Sequence, residues 1–171
     1  MKDDVNSVYL DGVSVKGLDV TMHLEEALDG VEIIVLAVPS SVILDVVNDL
    51  IPHLRPGHVL LDLAKGLAPK KRLISSAIEE ILRENNLHNP LAVLTGPTIA
   101  PEAANGVMTT ALVASEEASV AQRLAETLST PTFVLKAAND PKGAELWGAF
   151  KNVVALACGL VDGLKEVGSL G

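Results

Sequence analysis

Apolar positions along the chain follow two periodicities in alternation. Short aliphatic and β-branched runs, VEIIVLAVP (31–39), HVLLDLAKG (58–66), LAVLTGP (91–97), TTALVAS (109–115) and TFVLKA (132–137), predict strands. Between them, SSVILDVVNDLI (40–51), PKKRLISSAIEEILRENN (69–86) and EEASVAQRLAETLS (116–129) space their apolar residues three and four apart, the stripe of a helix packed on one side. A last helix is expected from Asp140, whose carboxylate can cap it, with Pro141 suited to its first turn. Strands and helices in alternation predict an α/β fold with a mainly parallel sheet.

The last helix carries an anomaly. In ELWGAFKNVVALACGLVDG (145–163), Lys151 shares a helical stripe with Trp147, Val154, Ala155 and Cys158 and has no charged residue three or four positions away. An ammonium taken into apolar surroundings either costs several kcal/mol or loses its proton through a depressed pKa. Two readings follow: the side chain snorkels to water, or it is held there for chemistry.

Three predicted strands end in small or turn-forming residues: Pro39, Ser40 and Ser41; Lys65 and Gly66; Gly96, Pro97 and Thr98. Open parallel sheets bind ligands beyond the carboxyl ends of their strands, where turns present backbone amides. Turns favour such residues in any case, so the distinguishing feature is Lys65, a cation at a strand end. Lys70 and Lys71 are expected as solvated residues at a helix start.

Composition narrows the possibilities. With 171 residues, 49% of them hydrophobic, the chain can form one packed domain, or a domain with part of a second. A net charge of −9 argues against a nucleic-acid or anionic-membrane surface, although a small anion needs only local cations. Cys158 is the single cysteine and no secretory leader pattern opens the sequence, which points to the cytoplasm. Residues 146–161, interrupted by Lys151 and Asn152, are expected as a core helix rather than a membrane span, with Cys158 a small buried residue in it. His23, His53, His58 and His88 have no ligand-like spacing, so they are expected at the surface and no metal site is expected. No two of the thirteen glycines are separated by a single residue, so neither GxGxxG nor a phosphate-binding P-loop is present.

Four blocks stand in order: LEEALDGVEIIVLAVPSS, DLAKGL, TGPTIAPEAANG and GAELWGAFKNVVALACGLVDGL. Together, over residues 8–164, they resemble NAD(P)-dependent glycerol-3-phosphate dehydrogenase. The most specific pieces are KG after the second strand, GP-x-x-A-x-E, and GxxKN. The resemblance implies a partial Rossmann-like, doubly wound sheet over residues 1–139 and the first long helix of a helical substrate domain over 140–171. It also implies hydride transfer between NAD or NADP and dihydroxyacetone phosphate, giving sn-glycerol 3-phosphate.

By that resemblance Lys151 is the proton donor or acceptor at the substrate oxygen, which an apolar helix would tune by lowering its pKa. Asn152 supports it near the substrate; Lys65 touches substrate and dinucleotide; Gly96 and Thr98 contact substrate. Ala100 contacts the cofactor, and Pro39 and Ser40 lie where it crosses a strand end. Thr98 stands where the family has serine or asparagine, and Trp147 and Phe150 where it has smaller residues. The family's glycine-rich opening unit and most of its C-terminal helical domain have no counterpart in the sequence. The expectation is therefore a fragment or truncated form, acting on a small phosphorylated substrate and associating as a homo-oligomer or with a complementing polypeptide. Two alternatives stand beside it: a non-catalytic interaction module, or another carbonyl reductase of the same superfamily.

Overall fold

The computed structural model describes residues 6, 9, 10, 12–166 and 168. Five strands, β1 (Ile33–Leu36), β2 (Val59–Asp62), β3 (Leu91–Thr95), β4 (Thr109–Ser115) and β5 (Phe133–Ala138), form one sheet in sequential order. The helices are α1 (Leu24–Ala27), α2 (Ile43–Leu50), α3 (Ile74–Glu84), α4 (Ala100–Ala104), α5 (Ala118–Leu128) and α6 (Pro141–Glu166). All five predicted strands are present, the first three shorter than their apolar runs. In the run 31–39 pairing stops at Leu36, and Pro39 has no N–H to offer a ladder.

The sheet is mainly parallel, as expected, with one reversal. β1, β2 and β3 pair parallel and β4 pairs parallel with β5, but β3 and β4 are antiparallel, with Thr95 opposite Leu112. The β3–β4 connection is consistent with it. It spans residues 96–108 and holds no helix longer than the five-residue α4, where parallel crossovers are usually built on a long helix.

Strand pleating sorts the core into two faces. Leu60 of β2 joins Ile34 and Leu36 beneath α2 and α3, where Ile43, Ile74 and Ile78 are fully buried. Its neighbours Val59 and Leu61 point the other way, into a cluster with Val113, Leu124 and Leu135 under α5. Each such aliphatic side chain is worth about 1.5–3 kcal/mol when fully buried. Because positions two apart share a face, Asp62 points with Leu60 towards the α3 side.

The helix expected from residue 69 begins five residues later. Lys70 and Lys71 have φ of 62° and 58°, the left-handed region that no helix accommodates, and Ala68 bridges back to Arg72 around them. His58 departs from the surface expectation: it is buried, with Nδ1 accepting the Arg55 N–H at 3.1 Å in a turn that Asn89 braces.

α6 begins as expected. Asp140 Oδ1 accepts the Gly143 N–H at 2.8 Å, and Pro141 opens the helix. Its first turns pack across β3 beside α3, with Ala144 and Glu145 buried. The expected core helix, however, is not buried over its second half. Val153, Val154, Leu156 and Leu160 are exposed, and so is Cys158. By length and composition alone the helix would also suit a bilayer; its first half packs on the sheet, with Ala144 and Glu145 buried.

Close approach fixes the sheet's centre. A Cβ at Gly96 would lie 2.9 Å from both Cα and Cβ of Ala111, atoms that cannot rotate away. Gly96→Ala should therefore cost about 1–3 kcal/mol through overpacking. Gly57→Ala, with open space around it, should leave stability level or slightly raised. Thermal melts of the two variants check this; equal melting temperatures would contradict so close a packing at Gly96.

Candidate active site

The three turns singled out in the sequence are neighbours in space because β1, β2 and β3 are adjacent and parallel, so their carboxyl ends share one edge of the sheet. Ser40, after β1, reaches the KG turn after β2: a Cβ at Gly66, where φ is 131°, would come within 3.2 Å of Ser40 Oγ. The GP turn follows β3 directly, at Gly96 and Pro97.

α6 is what brings Lys151 to these turns. β5 runs opposite to β1–β3, so the helix after it starts at the far end of the sheet and travels back towards the carboxyl ends of those strands. At Gly148 it crosses the end of β3 so closely that a Cβ would lie 2.3 Å from Thr95 Oγ1. One turn further on, the half-buried Lys151 turns inward and its Nζ donates to Gly96 O at 3.4 Å. The amine thus lies at the GP turn.

Lys65 approaches from the KG turn. Partial burial, then hydrogen-bonding proximity to Lys151, then repulsion from its charge hold the Lys65 ammonium below the usual lysine range. Two cations from distant parts of the chain therefore share one end of the sheet. Beside them a cleft of about 610 Å³ is lined by Gly96, Pro97, Leu112, Lys136, Trp147 and Lys151. Trp147 is 71% exposed and stands as an outer wall of this cleft. Thr98 is half-buried in the loop after Gly96. Asn152 and Ala100 are exposed, on α6 and at the start of α4, and Pro39 is exposed beside Ser40.

Family models match over nearly the whole chain: the NAD-dependent glycerol-3-phosphate dehydrogenase N-terminus over residues 1–121, and the C-terminus of the same family over 140–169. The chain belongs to the NAD-dependent glycerol-3-phosphate dehydrogenase family. Glycerol-3-phosphate dehydrogenase (NAD(P)+) of Exiguobacterium sp. is 40% identical over 162 residues, covering 93% of this chain and 47% of that one. Its namesake from Desulfitobacterium hafniense is 37% identical over 165 residues, 93% of this chain and 44% of that one. The crystal structure of glycerol-3-phosphate dehydrogenase from Coxiella burnetii superposes with a TM-score of 0.81 at 31% identity, covering 96% of this chain and 50% of that one. The chain spans about half the length of the curated relatives it matches.

This dehydrogenase-family chain also buries polar residues that the sequence did not single out, on the segments that lead to the two lysines. Asp62, Ser75 and Glu145 are all buried, and Asp62 Oδ2 and Ser75 Oγ have no hydrogen-bond partner among the described residues. Asp62 Oδ1 accepts the Ala64 N–H at 2.7 Å, one residue before Lys65. Glu145 accepts the amides of Ile74 and Ser75, the latter at 3.2 Å. The available signal was a carboxylate ending the otherwise apolar run VLLD, and another among the buried residues of α6.

Burial pushes the Asp62 carboxyl up from 3.8 to about 7; the Ala64 N–H opposes this and the Glu145 charge adds to it. Because the folded pKa lies above the unfolded one, the native state holds this proton more tightly. That contribution is complete below about pH 4 and is lost as pH rises through about 7, with an upper bound of about 4 kcal/mol. Asp62→Asn keeps an acceptor for Ala64 and removes the charge. It should stabilise the protein by about 1–3 kcal/mol at pH 8 and by less at pH 5. Denaturant melts at both pH values check this; a gain independent of pH would contradict a buried, titrating Asp62.

Proposed function

We propose that this chain builds the reacting end of a glycerol-3-phosphate dehydrogenase site, in which dihydroxyacetone phosphate is reduced to sn-glycerol 3-phosphate. The observation that carries the proposal is the convergence of Lys151, Lys65 and the GP turn beyond the carboxyl ends of parallel strands. A bound nicotinamide, of NAD or NADP, would supply the hydride. Residues 39, 40, 65 and 100 suit its reacting half: the Ser40–Gly66 contact is close enough that any side chain at 66 would crowd the turn.

The chemistry of the chain's own groups follows from charge. As a C–H bond forms at the carbonyl carbon, negative charge builds on the oxygen; Lys151 Nζ, anchored at Gly96 O, stabilises it and passes a proton to it. In the reverse direction the neutral amine accepts that proton. Lys65 adds a second positive charge for an anionic substrate, and because its proton affinity is lowered, an incoming phosphate or oxyanion would strengthen its ammonium form. Gly96, Thr98 and Asn152 are assigned to the substrate. Such a site works on soluble reactants, in keeping with a cytoplasmic setting.

The exposed apolar half of α6 supports a further assignment, an interface. In this reading it is covered by the remainder of a helical substrate domain, by a second copy, or by a complementing polypeptide. The 171 residues alone should self-associate, because Val153, Val154, Leu156 and Leu160 lie open together on α6. Sedimentation should show a concentration-dependent oligomer that Leu156→Glu with Leu160→Glu disperses; a clean monomer at high concentration would contradict it.

Dihydroxyacetone phosphate-dependent oxidation of NADH or NADPH tests the activity, with the chain alone and with the C-terminal half of a family member added in trans. Lys151→Ala should lower the rate about 10²–10⁴-fold with little change in melting temperature. A chain whose activity survives Lys151→Ala does not use Lys151 as its proton donor.

A further inference from the structure

Lys151 and Lys65 repel each other, so something in the fold must hold them together. Two buried carboxyl groups, Glu145 on α6 and Asp62 at the end of β2, bond backbone amides in the segments that carry them. α3 begins without a cap of its own: its N-cap is Leu73, whose side chain cannot bond the first amides, and its first turn has no acidic residue. Glu145 takes that role from a different helix, across 70 and 71 positions of sequence, with one carboxylate oxygen on each of the Ser75 and Ile74 amides. A charge placed on unsatisfied amides at a helix N-terminus is favourable and directional. On α6, Glu145 and Lys151 are six residues apart, about 9 Å of helical rise. Clamping Glu145 to the end of α3 therefore sets how far α6 slides along the sheet, and so where the Lys151 amine arrives. Asp62 does a parallel service for the other lysine by fixing the Ala64 amide.

We propose that Glu145 is a positioning residue, tying α6 to the amino end of α3 so that Lys151 is delivered to Gly96 O and to Lys65. The proposal deepens the functional reading above, on which the importance of the lysine pair rests. Its test reads the unliganded chain and does not require turnover.

The charged group that bears on the Lys65 titration is Lys151, and the sign of the effect separates positioning by Glu145 from a direct charge effect of Glu145 or Asp62. Removing a negative charge near Lys65 would lower its pKa further. Letting Lys151 drift away would raise it. The experiment is an NMR pH titration of side-chain-labelled lysines, with Lys65 and Lys151 assigned through Lys65→Arg and Lys151→Arg. Lys151→Met should raise the Lys65 pKa, and Glu145→Gln should raise it by most of the same amount. In the double variant the two shifts should fail to add. The same sign is expected in the Asp62→Asn background, where Asp62 cannot titrate.

Glu145→Gln also removes a helix cap, so stability is controlled separately. Leu73→Asp in the Glu145→Gln background supplies a local cap for α3 without a link to α6. Positioning predicts recovered melting temperature with the Lys65 pKa still raised. An unchanged or lowered Lys65 pKa in Glu145→Gln would overturn the proposal, and so would return to the original value on adding Leu73→Asp, which would make Glu145 a cap and nothing more. If the titrations hold while the dehydrogenase assay fails, the clamp stands and the assigned reaction falls.

Discussion

Two ammonium groups facing each other at the end of a sheet oppose folding, and the fold supplies the constraint that keeps them there. α6 is pinned at three successive points: Glu145 on the α3 amides, Gly148 against Thr95, and Lys151 on Gly96 O. None is strong alone. A net hydrogen bond contributes about 1 kcal/mol, somewhat more when one partner is charged, but together they leave the helix little freedom to slide.

The reversal between β3 and β4 gives this geometry its origin. Were β4 and β5 parallel to the first three strands, the helix after β5 would begin at the carboxyl-end edge and run away from it. Because the direction changes at β3, α6 starts at the opposite edge and arrives at the KG and GP turns after about three helical turns. The antiparallel pair thus determines what the final helix can reach.

Much of this was legible in the residues. Apolar periodicity located the strands and the main helices, and Lys151 announced itself by its lack of a local partner. The reversal was not legible, because strand direction leaves no mark in apolar spacing, and the five residues of α4 around a proline carry no strong periodic signal. Lys70 and Lys71 read as helix start because lysine favours helices, whereas the Ala68–Arg72 bridge forces them left-handed. Burial of α6 was overestimated because hydropathy records what a helix would hide, and over residues 152–163 nothing among the described residues covers it. Asp62 and Glu145 escaped notice for a related reason. Their partners are backbone amides, those of Glu145 far away in sequence, and no residue-type spacing reveals an amide.

The proposal that Lys65 and Lys151 receive an anion as one unit is addressed most directly by titration with sn-glycerol 3-phosphate, followed through the two labelled lysine side chains. A shared site predicts that both signals move along a common saturable curve, with the Lys65 pKa rising as the anion binds, while exposed Lys70 and Lys71 stay still. Signals that move separately, or no more at Lys65 and Lys151 than at Lys70 and Lys71, would contradict it.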